Sequence, residues 1–158
     1  MREGRWTLIA EAYALLVREL PTAEPGARLT LGEAYYNIGV LKNEYKTLEL
    51  AIAELQSDFR EQNSIVRAGL LLGKCYLARG WHELARRHLT NLLDKIGTDR
   101  KAQSNVLEAL YDIAGACRAM GDQEGEYEAL LSVVHRDVSY RDAAERFDRL
   151  NKNIGSGA

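Results

Sequence analysis

The chain has little proline: of its 158 residues only Pro21 and Pro25 are proline, and both lie near the start. From there to the end, apolar residues recur at helical spacing with short breaks, and no alternating pattern typical of strands competes with them. Since proline interrupts helices, its absence from the rest of the chain permits a long series of helices. The sequence therefore predicts an all-α fold.

An excess of charge of one sign is also missing. The formal net charge is −2 and the pI is about 6.0, so there is no basic excess for contacting phosphates, and we predict no nucleic-acid partner. No stretch approaches the roughly 20 apolar residues of a membrane span, which predicts no membrane insertion. The N-terminal helix pattern contains Glu11 and Arg18 and lacks the apolar run of a signal peptide. This favours a cytoplasmic location, although a segment removed earlier would leave the same sequence.

Residues suited to catalysis or metal binding are few. Cys75 and Cys117 lie in apolar stretches without CxxC spacing, which indicates buried thiols in a reducing compartment and predicts no zinc site. The stretch HELAR, residues 82–86, begins like the HExxH zinc motif, but Arg86 stands where the second histidine is required. Nucleophile motifs such as GxSxG and phosphate-binding loops are absent. We therefore expect that the protein is not an enzyme and that it binds no cofactor and no metal.

What the chain does have is an internal repeat. Gly39, Gly80 and Gly121 are each 41 residues apart. Other positions keep their size at the same spacing: Leu31, Leu72, Ile113; Gly32, Gly73, Ala114; Tyr35, Tyr76, Cys117; Ala27, Ala68, Ala109; Leu48, Leu89, Leu130; Ile52, Leu93, Val134. Such a period predicts a repeated pair of antiparallel helices.

The glycines in this repeat have two predicted roles. Gly39, Gly80 and Gly121 are expected to end the first helix of each pair in a left-handed conformation, which glycine adopts at little cost. Asp122 follows as the predicted N-cap of the next helix. The small residues seven positions earlier, Gly32 in the first unit, are expected to let the partner helix approach closely.

The residues of the repeat resemble the tetratricopeptide repeat. Leu72-Gly73-Lys74-Cys75-Tyr76, followed by Gly80, Ala85 and Leu89, is similar to the family pattern. The unit at Leu31–Tyr35 matches with Glu44 in place of the alanine, and the third unit is weaker, with Cys117 and Glu126 at the tyrosine and alanine positions. The period is 41 rather than about 34, and the closing proline is missing, so the chain resembles a long-repeat variant.

The resemblance implies a right-handed superhelical solenoid of antiparallel helix pairs, forming one domain over residues 1–158. Its parts are an N-terminal helix at 5–20, repeats at 25–57, 62–97 and 99–136, and a capping or partial fourth-repeat helix at 139–155. The array is then open at both ends. In this family a concave groove lined by first-helix residues binds peptides or partner proteins.

The groove positions implied by the resemblance include tyrosines, basic residues and one acid. They are Glu33, Tyr36, Asn37, Arg67, Leu70, Lys74, Tyr111 and Arg118, with Arg149 and Lys152 extending the row. Tyrosine anchors beside basic side chains suit a segment with some acidic character. Alternatively, both tyrosines only complete the packing between helices. The family's carboxylate clamp, a lysine and asparagine pair that binds a chain-terminal carboxylate, is not reproduced, since Leu29 and Glu33 stand at its first-repeat positions; this argues against binding of a chain terminus.

Three functions remain open at this point. The first is a non-enzymatic scaffold that binds a peptide or partner-protein segment in the groove. The second is a peptide-sensing regulatory domain of a larger protein. The third is a structural module that self-associates through the open ends of its array.

Overall fold

A computed structural model describes residues 2–20, 26–60, 65–97 and 102–156. These residues form eight α-helices and no strand: α1 Arg2–Glu19, α2 Ala27–Lys42, α3 Tyr45–Arg60, α4 Ile65–Arg79, α5 His82–Ile96, α6 Gln103–Met120, α7 Gln123–Arg136 and α8 Ala143–Ser156. The predicted all-α fold is confirmed. The predicted starts of the three repeats, at residues 25, 62 and 99, lie outside the described residues, as do Pro21 and Pro25.

The helices group into two compact units that divide between Gly80 and Trp81. In the first unit α1 packs on α2, α2 on α3 and α3 on α4, and α2 also contacts α4. In the second unit α5 packs on α6, α6 on α7 and α7 on α8. Within each unit, therefore, helices that follow one another in the chain are neighbours in space. The two helices of the predicted second repeat, α4 and α5, belong to different units.

The residues repeated at a spacing of 41 form much of the buried core, as predicted. Leu48, Leu89 and Leu130 are at most 2% exposed. The alanine positions and the first-helix aliphatic positions are also buried: Ala27, Ala68, Ala109, Leu31, Leu72 and Ile113. Burial removes apolar surface from water, so the same pattern of apolar residues recurs wherever two paired helices pack together.

Gly32 allows α2 and α3 to approach closely. A Cβ placed on Gly32 would lie 2.6 Å from Cγ and 2.8 Å from Cδ2 of Leu55, a side chain with no exposed surface. Carbon atoms in contact normally lie about 3.5–4.0 Å apart, so no larger residue fits without a shift. The predicted role of Gly32 is confirmed.

The prediction for Gly39 is wrong. Helix α2 continues through Gly39 to Lys42, and Asn43 takes the left-handed conformation instead, with φ 52°. The amide of Glu44 donates to the Gly39 carbonyl at 2.8 Å and that of Asn43 to the Val40 carbonyl at 3.3 Å, which is the Schellman pattern. Asparagine is the other residue that tolerates this conformation, so the helix could extend by one turn.

Gly80 and Gly121 do end their helices as predicted, with φ 82° and 74°. After Gly121, the amide of Asp122 donates to the Cys117 carbonyl at 2.9 Å, and the Gly121 amide to the Arg118 carbonyl at 3.1 Å. A left-handed residue thus closes α6 and satisfies carbonyls that would otherwise lack a donor.

Asp122 caps the N-terminus of α7, as predicted. Its Oδ1 accepts a hydrogen bond from the Gly125 amide at 2.9 Å, satisfying one of the first-turn donors. Gly125 is needed for this geometry, since a Cβ there would lie 2.4 Å from Asp122 Oδ2 and 2.9 Å from Cys117 Sγ. The cap, the glycine and the thiol therefore share one small space.

Candidate functional site

The predicted groove residues lie on the first helices of the three repeats, and these helices are divided between the two units. Glu33, Tyr36 and Asn37 are on α2, and Arg67, Leu70 and Lys74 on α4, all in the first unit; Tyr111 and Arg118 are on α6 in the second unit.

In the first unit the structure brings three of these residues together. Arg67 donates to Glu33 Oε2 at 2.8 Å, joining α4 to α2. Asn37 Nδ2 donates to the Glu33 carbonyl at 2.7 Å, one turn back along α2. The Arg67 side chain is 65% exposed, so this is a surface ion pair of the kind that contributes little to stability and can be exchanged for a ligand.

The other first-unit groove residues are less available. Leu70 is only 6% exposed, so its side chain belongs to the core and offers a partner little surface. Tyr36 and Lys74 are half-buried. Leu70 was predicted to lie on the groove face from helical spacing alone. Core and groove side chains occupy neighbouring positions around a helix, so spacing does not separate them sharply.

A surface pocket lies between α1 and α2, and we call it the α1–α2 pocket. Its volume is about 350 Å³, and it is lined by Arg2, Arg5, Trp6, Asn37, Val40 and Leu41. Val40 and Leu41 are 48% and 54% exposed. The lining combines apolar side chains, one amide and two guanidinium groups without an acid. Its volume falls in the range of sites that take a substantial apolar group.

In the second unit Tyr111 already has partners. Its hydroxyl donates to Asp142 Oδ1 at 2.7 Å, and its ring meets the Tyr140 ring edge-on with centroids 5.8 Å apart. The Arg141 guanidinium lies 4.7 Å from the Tyr111 ring centroid. The hydrogen bond from Tyr111, with Arg146 nearby, lowers the pKa of Asp142. These contacts favour a packing role for Tyr111, which was one of the two interpretations.

A buried ion pair joins α7 to α8. Arg146 Nη2 and Nε donate to Glu126 Oε1 at 2.6 and 3.2 Å, and the two side chains are 7% and 8% exposed. Burial lowers the pKa of Arg146, but hydrogen bonds with Glu126 and Tyr111 outweigh that effect and the pKa is raised. One feature of the sequence points to this pair: Glu126 occupies the alanine position of the repeat, where an acid needs a buried partner.

Arg118 lines a second, smaller pocket, which we call the arginine pocket. Its volume is about 120 Å³, and its lining residues are Arg118, Glu126, Arg146, Arg149 and Leu150. Arg118 comes from the last turn of α6 and Arg149 from α8. Two residues that the sequence placed in one row therefore meet at one pocket, together with a buried pair that it did not predict.

The described residues offer no cluster of three His, Cys, Asp or Glu side chains that could hold a metal ion. Glu83, the acid of the incomplete HExxH stretch, accepts hydrogen bonds from Arg87 and Arg86, which lower its pKa. Cys75 and Cys117 are free and buried; burial raises the pKa of the Cys75 thiol to about 12. Over the described ranges, no helix combines the length and apolar character needed to cross a membrane.

Comparison with known proteins adds no family to this geometry. No protein-family model matches the chain. No curated protein matches it either. The resemblance to tetratricopeptide repeats therefore depends on the residues of the repeat itself and on the helix pairs that those residues form.

Proposed function

We propose that this protein is a non-enzymatic interaction module of the long tetratricopeptide-repeat type, a right-handed solenoid that binds a segment of a partner protein. Three features support the proposal: helices that pack in chain order within each unit, core residues repeated at a spacing of 41, and the contact between α2 and α4. In repeat proteins each repeat packs against its neighbours, and corresponding helices of successive repeats line one surface.

The observation that carries the proposal is that a predicted groove residue lines a pocket in each unit. Asn37 lines the α1–α2 pocket, and Arg118 lines the arginine pocket. Peptide-binding surfaces combine an apolar anchor site with a few placed polar groups. The α1–α2 pocket has both, with exposed Val40 and Leu41 beside Asn37. We propose that it takes an apolar side chain of the bound segment.

The partner in this proposal is a protein or peptide in the cytoplasm. Nucleic acid is disfavoured by the net charge of −2. The proposal assigns no cofactor and no catalytic residue.

A matched pair of variants tests the proposal. Peptides are selected from a random library against the purified chain, and their affinities are measured by fluorescence anisotropy. Leu41→Asp, in the α1–α2 pocket, should weaken binding at least about tenfold, since a buried apolar contact contributes about 1.5–3 kcal/mol. Leu50→Asp is the control, because Leu50 on α3 is 51% exposed, close to the 54% of Leu41, and lies outside the lining of the pocket.

Two outcomes contradict the proposal. One is a library that yields no peptide enriched over an unrelated helical protein. The other is an equal effect of Leu41→Asp and Leu50→Asp on the selected peptides.

Self-association is a second candidate function, favoured by the surface of α1. Leu8 and Leu15 are 68% and 54% exposed, and residues seven apart lie on one face of a helix. This face could pack against a second copy of the chain. Sedimentation equilibrium tests it: we expect Leu8→Glu with Leu15→Glu to abolish any dimer that the unmodified chain forms, and a monomeric unmodified chain contradicts this candidate.

A further inference from the structure

Two guanidinium groups of the arginine pocket, those of Arg118 and Arg149, make few and weak interactions with the rest of the protein. The Arg118 side chain is exposed, and its guanidinium group makes no hydrogen bond or ion pair with any other residue that the structure describes. Within the described part of the chain Arg149 forms one ion pair, with Glu145 at 3.1 Å, and the two side chains are 59% and 73% exposed. Such an i, i+4 pair on a helix surface contributes only a few tenths of a kcal/mol. An incoming anion can therefore replace Glu145.

The rest of the pocket lining is buried and charge-balanced. Arg146 and Glu126 neutralise one another and are more than nine-tenths buried. Leu150, 9% exposed, supplies an apolar wall. Three guanidinium groups and one carboxylate leave the lining with a net charge of +2. The positive charge that a ligand meets therefore belongs to Arg118 and Arg149.

The size of the pocket limits what can enter. Its volume is about 120 Å³. Sites for whole small-molecule ligands usually measure about 300–1,000 Å³. The arginine pocket can enclose one anionic group at the end of a side chain, and the rest of a larger ligand would lie outside it.

We propose that the arginine pocket binds the carboxylate of an aspartate or glutamate side chain in the bound partner segment. This inference rests on the proposed function. Arg118 and Arg149 donate to the carboxylate oxygens, since guanidinium groups match carboxylates in geometry and form charge-assisted hydrogen bonds. The apolar part of the acidic side chain lies against Leu150. The buried pair Arg146–Glu126 fixes the position of α8 and hence of Arg149.

The test replaces the acid in the peptide and the guanidinium groups in the protein. In peptides selected from the library, each Glu is replaced by Gln, and binding is measured to the unmodified chain and to Arg118→Gln with Arg149→Gln. At one position, loss of the acid should weaken binding to the unmodified chain about tenfold, and to the double variant less than about twofold. Arg87→Gln with Arg136→Gln is the charge-matched control, because both side chains are exposed, lie in the same unit and are outside the lining of the pocket. It should leave the tenfold effect in place.

An acid effect of equal size in the unmodified chain and the double variant overturns the inference while leaving the proposed function intact. A library that yields no peptide overturns the proposed function. The pocket is then tested directly, by titrating the chain with N-acetylglutamate α-methylamide, in which the side chain is the only carboxylate, and following the arginine Nε–H signals by NMR. We expect shifts at Arg118 and Arg149 with this compound and none with N-acetylglutamine α-methylamide, which has no carboxylate. Equal shifts with both compounds, or shifts with inorganic phosphate alone, overturn the assignment to a carboxylate.

Discussion

The close approach at Gly32 leads to a prediction whose sign is opposite to that of ordinary helix propensity. Replacing glycine by alanine in a helix interior normally stabilises it by about 1 kcal/mol. At Gly32 the new Cβ would lie 2.6 Å from Cγ of Leu55, which is fully buried, and 3.4 Å from the Ala51 carbonyl oxygen. Overpacking of this kind costs about 1–3 kcal/mol. We therefore expect Gly32→Ala to lower the free energy of unfolding by about 1 kcal/mol net.

Gly115 is the matched control, because it lies inside α6 and a Cβ there would meet nothing within 4 Å. Gly115→Ala should raise the free energy of unfolding by up to about 1 kcal/mol. Unfolding in urea is followed by circular dichroism at 222 nm. If the free energy of unfolding falls by about 2 kcal/mol per molar urea, the unfolding midpoints of the two variants should lie about 1 M apart.

A third variant removes the cause of the clash. In a Leu55→Ala background the new methyl group at Gly32 has room, so Gly32→Ala should change from destabilising to stabilising. Three results would refute the reasoning: Gly32→Ala as stable as the unmodified chain, midpoints that coincide, or the same effect of Gly32→Ala with and without Leu55.

Three further predictions concern the buried pair, the α2 terminus and a thiol. Glu126→Ala should lower the free energy of unfolding by about 3–5 kcal/mol, because it leaves the Arg146 charge buried, and Glu126→Leu with Arg146→Met should recover most of that loss in the same urea assay. Asn43→Gly should be more stable than Asn43→Ala by about 1 kcal/mol in thermal unfolding, because φ at this position is 52°. Since burial raises the pKa of Cys75 from 9.0 to about 12, its thiol stays protonated at pH 8–9, and iodoacetamide should label it only in denaturant; rapid labelling of the folded chain would contradict this.

Much of the fold could be predicted because burial follows the repeat. The leucines at 48, 89 and 130 recur at one spacing and are all buried, since each helix pair must cover the same apolar face. The end of α2 could not be read in this way. Gly39 and Asn43 both permit a helix to end, and the choice between them depends on how α3 packs, which no local pattern contains.

The candidate site was predicted less completely. The row of groove positions included Arg118 and Arg149, and both line the arginine pocket. The pair between Glu126 and Arg146 was missed because its members are 20 residues apart and belong to different helices. Leu70 was placed on the groove face, yet it is buried, since helical spacing fixes the direction of a side chain and not the neighbours that cover it.

The space shared by Asp122, Gly125 and Cys117 has a consequence for how this chain can change over time. Any side chain at Gly125 would displace either the capping carboxylate or the thiol. A substitution at one of the three positions therefore alters what the other two can tolerate. In homologous sequences these positions should vary together, with residues larger than glycine at 125 accompanied by a smaller residue at 117 or by loss of the acid at 122.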